Sequence, residues 1–120
     1  MTGSKPSAGV TLAFSCIGHA YAHLFVLLYA TAVLVVEHEF DLPFADLVWL
    51  SVPGFVMFGA GAIPAGWLGD HWSGPGMLAV YFFGLGFASL VTGLADGPIG
   101  LLVGLTLIGT FASIYHPVGI

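Results

Sequence analysis

The sequence predicts an all-α integral membrane protein whose four transmembrane helices form an antiparallel bundle. Of its 120 residues, 58% are hydrophobic and only 6% are charged, whereas a soluble domain carries about a quarter charged residues. Charge-free stretches cover 6–36, 47–69, 71–95 and 97–120. Each can cross a hydrocarbon layer about 30 Å thick as a helix that rises about 1.5 Å per residue.

Aspartate and proline mark the expected helix starts. Asp41 with Pro43, and Asp96 with Pro98, are typical of helix N-termini, because an aspartate can cap free backbone N–H groups and a proline suits the first turn. The chain therefore divides into a tail and a four-helix domain, with these predicted bounds: tail 1–9; domain 10–120; spans at about 10–36, 44–68, 76–94 and 98–116.

Short connectors and one basic residue predict the orientation. Connectors this short make successive helices antiparallel, and positive residues favour the cytoplasm. Lys5 is the one basic residue in the chain. It predicts a cytoplasmic N-terminus in a bacterial inner (plasma) membrane, with the acidic connector 37–41 outside and the connector 70–75 inside.

The composition argues against two classes of function. A net charge of −5 opposes nucleic-acid binding, which needs basic groups for the phosphates. The sequence contains no Ser/His/Asp set in a recognisable pattern, CxxC pair, P-loop or nucleotide-binding glycine fingerprint. We therefore expect no enzymatic activity and no cofactor.

Glycines and prolines predict where helices pack and bend. Small residues let membrane helices approach closely, and the glycines expected to do so are Gly59, Gly61, Gly84, Gly100 and Gly104.

Prolines inside the second span, and at the end of the fourth, predict helix irregularities. Pro53, Pro64 and Pro117 each lack the N–H that would bond the carbonyl four residues earlier, so the helix is expected to kink or break there.

Histidines in the first span are the candidate functional groups. His19 and His23 are four residues apart and share a helix face, and polar groups inside a span usually face the bundle interior or a water-filled path. Three roles are open: a solute or proton path, a structural bond to a neighbouring carbonyl, and a metal site with His116. The metal site is disfavoured, because His23 is expected near mid-membrane and His116 near the cytoplasmic end. We therefore expect no metal.

Two segments resemble a known transporter family. Gly66-Trp67-Leu68-Gly69-Asp70 resembles the Gly-x-Leu-x-Asp signature between helices two and three of the major facilitator superfamily. Tyr115-His116-Pro117-Val118-Gly119 resembles the Tyr-His-Pro-x-Gly segment of fosmidomycin-resistance-type transporters. The histidine-rich first span followed by Glu39-Phe40-Asp41-Leu42 is similar to the same subgroup.

The resemblance implies the N-terminal part of a secondary transporter of small solutes. In that family twelve helices form two six-helix bundles, and helices one and four line the path. By matching position, a cytoplasmic gating loop would contain Gly66, Leu68 and Asp70. The path would be lined by His19, His23, Tyr115 and His116.

Two departures from the family keep other functions open. The gating loop continues at 71–76 without a basic residue, and the chain covers one three-helix repeat and one further helix. It is not expected to transport alone, and its partners would be the lipid bilayer and the remainder of a transporter or other membrane subunits. The alternative is a truncated, non-transporting accessory subunit of a respiratory or photosynthetic complex. A homodimeric four-helix carrier ranks lowest, because the first span lacks an embedded carboxylate.

Overall fold

The computed structural model describes residues 7–119, and every regular element in that range is a helix. The helices in chain order are α1 (Ala8–Phe40), α2 (Phe44–Trp49), α3 (Val52–Ala60), α4 (Ala62–His71), α5 (Gly74–Gly93), α6 (Pro98–Ala112) and α7 (Tyr115–Gly119).

These helices form four rods, each long and apolar enough to cross a membrane. The first rod is α1 and the third is α5, while α2–α4 combine into Phe44–His71 and α6–α7 into Pro98–Gly119. The all-helical prediction is confirmed for residues 7–119, and four rods long and apolar enough to cross are the architecture of a multi-pass membrane protein. Lys5 and most of the predicted tail lie outside the described residues.

The first connector is shorter than the sequence suggested. Helix α1 continues through the acidic stretch to Phe40, and Asp41 ends it with a left-handed backbone (φ 50°). The prediction that Asp41 caps the second span is wrong: Pro43 occupies the cap position, and a carboxylate oxygen of Glu37 accepts the N–H of Phe44 at 3.2 Å. A glutamate one turn before the end of α1 reaches forward across the bend.

The second aspartate also fails to cap. Gly97, with an extended backbone, precedes Pro98 at the start of α6, and no side chain caps this helix. The caps that do form come from serines: Ser7 accepts the N–H of Val10 before α1, and Ser73 accepts that of Gly76 before α5. Pro98 lies in the first turn of its helix as predicted, whereas Pro43 occupies the cap position, and neither aspartate caps a helix.

Helix breaks lie just before the three internal prolines. Helix α2 ends at Trp49 before Pro53, α3 ends at Ala60 before Pro64, and α6 ends at Ala112 before Pro117. Each proline lies within the first three residues of the helix that follows, where a missing N–H costs no intrahelical bond. The prolines thus divide two rods into shorter helices.

The fourth rod is the centre of the bundle. Half of its most apolar window is buried, against 17% for α1, and it contacts the other three rods. A close approach joins α3 to α6: a methyl group on Gly109 would collide with the backbone of Gly54, and one on Gly54 would meet the Leu105 carbonyl. Backbone thus packs directly on backbone here, as small residues allow in membranes.

The predicted packing glycines have different surroundings. A side chain on Gly61 would meet Ser113, one on Gly84 the Phe111 ring, and one on Gly104 the Thr92 side chain, so all three lie at contacts between rods. A methyl group on Gly100 would meet only Ala95 in the preceding connector, and one on Gly59 would meet no atom of another rod within 4 Å. The expectation therefore does not hold for Gly59 or Gly100, whose positions face away from the other rods.

Three tyrosine hydroxyls attach α1 to the rest of the bundle. Tyr81 of α5 donates to the Gly18 carbonyl at 2.8 Å, and Tyr29 of α1 donates to the Leu47 carbonyl at 2.8 Å. Tyr115 of α7 donates to the Ser15 carbonyl. Buried hydroxyls need partners, and these partners are on a different rod in each case.

Candidate functional site

Three histidines from opposite ends of the sequence meet at one place on the surface of the bundle. The ring centres of His19 and His23 on α1 are 4.8 Å apart, and the ring of His116 on α7 lies 5.5 Å from the first and 5.3 Å from the second. One ring nitrogen from each can be chosen so that all lie within 4.8 Å of one another. We call these residues the histidine cluster.

The expected difference in membrane depth between His23 and His116 is therefore wrong. That expectation placed His23 at the middle of a predicted first span, 10–36. Helix α1 has 33 residues and is about 50 Å long at 1.5 Å per residue, much more than the hydrocarbon thickness of about 30 Å. Val10 and Thr11 at the start of α1 line the same groove as Gly119 at the end of α7, so the excess length of α1 lies towards Phe40, and both α1 histidines lie level with His116.

The cluster is open on one side and walled on the other. His19 and His23 are exposed and His116 is half-buried. The Phe58 ring of α3 lies edge-on to His116 with ring centres 5.5 Å apart, and Tyr115 lies edge-on to His19 at 5.8 Å. The three imidazoles thus form a polar patch on an otherwise apolar rod surface, with aromatic rings beneath it.

The imidazole nitrogens of the cluster make no hydrogen bond to any residue in 7–119. His71 at the end of α4 behaves differently: its Nδ1 lies 2.8 Å from the Trp67 carbonyl, and its ring stacks on the Trp67 indole. The structural role considered for the histidines thus describes His71, while the cluster keeps its nitrogens available for a proton, an ion or a solute.

Tyr115 is not on the open face, contrary to its expected place on a transport path. It is only 2% exposed, and its hydroxyl is occupied by the Ser15 carbonyl. Side chains on Gly18 or Gly119 would collide with its ring, so two glycines make the space it fills. Tyr115 therefore holds α7 against α1 underneath the histidines.

The hydroxyl side chains of the fourth rod add no groups to the patch. Thr106, Thr110 and Ser113 donate to the carbonyls of Leu102, Thr106 and Thr110 within their own rod, at 2.6–2.8 Å. Such back-bonding satisfies a hydroxyl in an apolar environment. The polar groups of the patch are therefore the three imidazoles of the histidine cluster.

The predicted gating residues lie at the end of α4, where this helix packs on α7. Side chains on Gly66 and Gly69 would approach Pro117 and Val118 closely, so these glycines let α7 pack against α4. Leu68 and Asp70 are exposed. No Lys or Arg occurs in the part of the chain that the structure describes, so Asp70 has no such partner there.

Sequence reasoning missed Phe58 and Gly18. Phe58 forms a wall of the cluster although nothing in its local sequence marks it. Gly18 precedes His19 directly, accepts the Tyr81 hydroxyl and leaves room for the Tyr115 ring. A glycine beside the first histidine of the helix was the available signal for a close contact at this level.

Comparisons of the chain with protein-family models, with curated proteins and with solved structures give no match.

Proposed function

We propose that the chain is the N-terminal part of a facilitator-type secondary transporter of small solutes, in which the histidine cluster lines the solute path. The observation that carries this proposal is the open position of His19, His23 and His116 on rods long enough to span a membrane. Polar groups within a span are expensive against lipid and usually face a water-filled cavity or protein.

The resemblance supports the same assignment from the sequence side. It places the path on helices one and four, and the cluster is built from the first and fourth rods. Its cytoplasmic signature, Gly66 to Asp70, lies at the end of α4, which supports a cytoplasmic N-terminus in the inner membrane. Alternating access needs two units rocking about a shared site, so a second bundle would face the cluster from the other side.

One observation favours the alternative of an accessory subunit. Asp70 has no basic residue in the connector that follows it, although in the superfamily the loop continues with basic residues. An accessory subunit docked on a respiratory or photosynthetic complex would not need that pair. In this case the histidine cluster would be covered by a neighbouring subunit instead of water.

Thiol labelling in native membranes distinguishes the two functions. Cys16 is exposed and would be replaced first, as Cys16→Ser. Single cysteines are then introduced as His23→Cys in the cluster and, at nearly the same depth, as Leu24→Cys, a position that is 52% exposed on another part of α1. A charged, membrane-impermeant thiol reagent is expected to label position 23 and to spare position 24.

Labelling of neither position by the impermeant reagent would overturn the transport path. If position 23 then becomes reactive after detergent purification has removed partner proteins, the cluster was covered and the accessory function is supported. If position 23 reacts only with a membrane-permeant reagent, as position 24 does, the cluster faces lipid and both functions are contradicted.

A further inference from the structure

We infer that His19, His23 and His116 form a binding site for a divalent transition-metal ion of the Zn²⁺ class. Two of the ligands come from one face of α1 at a spacing of four residues, the arrangement by which a single helix presents two imidazoles to zinc. The third comes from α7, so the ion would join the first rod to the fourth.

The distances are close to those of a metal site. A tetrahedral ion with Zn–N bonds of about 2.0–2.1 Å places its ligand nitrogens about 3.3 Å apart. The three candidate nitrogens already lie within 4.8 Å of one another. The remaining difference of about 1.5 Å is within the reach of side-chain torsions, because His19 and His23 are exposed and free to turn.

The availability of the nitrogens is an independent argument. A metal ligand must offer a neutral, unoccupied nitrogen, and the cluster rings have no hydrogen-bond partner among residues 7–119. No Lys or Arg lies in this range to repel a cation. His71 is not part of this group of nitrogens, and its Nδ1 bonds to the Trp67 carbonyl.

The ligand set selects the class of ion. Neutral imidazoles suit Zn²⁺, Co²⁺, Ni²⁺ and Cu²⁺, whereas Mg²⁺ and Ca²⁺ prefer oxygen ligands, and the cluster contains no carboxylate. Three protein ligands leave a fourth tetrahedral position for water or for an anionic group of a solute. With no carboxylate in the ligand set, an anion in that position would be favoured electrostatically.

This inference rests on the proposed function in one respect only, that an aqueous path brings the ion to the cluster. Binding itself follows from the ligand geometry and is measured without transport. The full 120-residue chain would be purified in detergent with an affinity tag that contains no histidine, and titrated with Co²⁺. We expect one Co²⁺ per chain with the ligand-field spectrum of a four-coordinate site, displaced by Zn²⁺ and not by Mg²⁺.

Matched variants assign the ligands. His23→Ala and, separately, His116→Ala are expected to weaken Co²⁺ binding by at least about 100-fold, while His71→Ala leaves it unchanged. Because His116 is half-buried, His116→Gln keeps the side-chain volume and is expected to give the same loss. Size-exclusion profiles and melting temperatures show whether each variant is folded.

Three results would overturn the metal site. These are the absence of stoichiometric Co²⁺ binding by the folded wild type, binding unaffected in folded His23→Ala and His116→Gln variants, and a loss of binding caused by His71→Ala. The labelling experiment separates the two proposals. If position 23 of the His23→Cys variant reacts with the impermeant thiol reagent but the wild type binds no Co²⁺, the solute path is supported and the metal site is excluded.

Discussion

The contact between α3 and α6 and the contact between α1 and α7 differ in nearly every physical respect. In the first, Gly54 and Gly109 bring two backbones together in the bundle interior. In the second, α7 meets α1 through the Tyr115 ring beneath, while three imidazoles remain open above. The first contact contains no titratable group, and the second contains three imidazoles and the phenol of Tyr115.

This difference shows that the residues that stabilise the bundle are not the residues that could bind an ion or a solute. We call this the separation of stability from chemistry. Close backbone packing gains dispersion energy and tolerates no added volume. In the histidine cluster, His19 and His23 are exposed and the ring nitrogens make no bond within 7–119, so the side chains of His19 and His23 add little to the folding free energy. Groups that are expensive in a membrane and contribute little to stability are usually functional. Four substitutions test this separation.

The largest effect is expected from Gly109→Leu. An added side chain would collide with the backbone of Gly54, which cannot move without separating α3 from α6. We expect a loss of about 3 kcal/mol in unfolding free energy or failure to fold, measured by thermal or denaturant unfolding in detergent. Gly59→Leu is the control, since Gly59 has no neighbour within 4 Å. Equal effects of the two substitutions would contradict the packing described for α3 and α6.

Tyr81→Phe is expected to have an intermediate effect. It removes the buried hydrogen bond to the Gly18 carbonyl and keeps the ring, so the expected loss is about 1 kcal/mol, within the range for interhelical hydrogen bonds in membranes. Tyr21→Phe serves as the control, because Tyr21 is 44% exposed. If both variants unfold like the wild type, the hydroxyl does not hold α1 in place.

A smaller effect is expected from Glu37→Ala at the first connector. Its carboxylate accepts the N–H of Phe44, a capping role whose loss costs about 0.5–1 kcal/mol. Glu37→Gln keeps an acceptor oxygen and should recover most of this stability. Unfolding midpoints of the two variants provide the test, and identical values would exclude the bond across the bend.

The smallest effect on stability is expected from the double substitution His19→Ala, His23→Ala. Both side chains are exposed and alanine is the best helix former, so the unfolding free energy should change by less than about 0.5 kcal/mol. Unfolding of this variant in detergent without added metal gives the comparison. A loss above about 1 kcal/mol would mean that the histidines hold the helices together, and the separation of stability from chemistry would fail.

Much of the fold was predictable because it follows from local physics. Long charge-free stretches predict the four rods, and Pro53, Pro64 and Pro117 predict the breaks within two of them. The capping pattern was less predictable. An aspartate before a proline predicts a cap, yet Asp41 ends α1, and Glu37 accepts the N–H of Phe44. The capping residue at a bend depends on the directions of both helices that meet there. A short sequence pattern does not contain those directions.

The histidine cluster was only half predictable. The four-residue spacing places His19 and His23 together on one helix face whatever the tertiary structure. The approach of His116 depends on how α7 packs beside the start of α1, a relation between two helices that spacing alone does not give. The same applies to Tyr115, which the family resemblance places on a path and which the packing against Gly18 buries.

Cross-linking between the first and fourth rods tests the central claim, the meeting of α1 and α7 histidines. In a Cys16→Ser background, His23→Cys and His116→Cys would be combined, and a short bifunctional thiol reagent applied in membranes. A protease site inserted at 94–97 separates the first three rods from the fourth. We predict that the fragments stay joined after cleavage for the pair 23 and 116, and separate for the control pair Tyr21→Cys and His116→Cys. Separation for the pair 23 and 116, or equal joining for the control, would contradict the cluster.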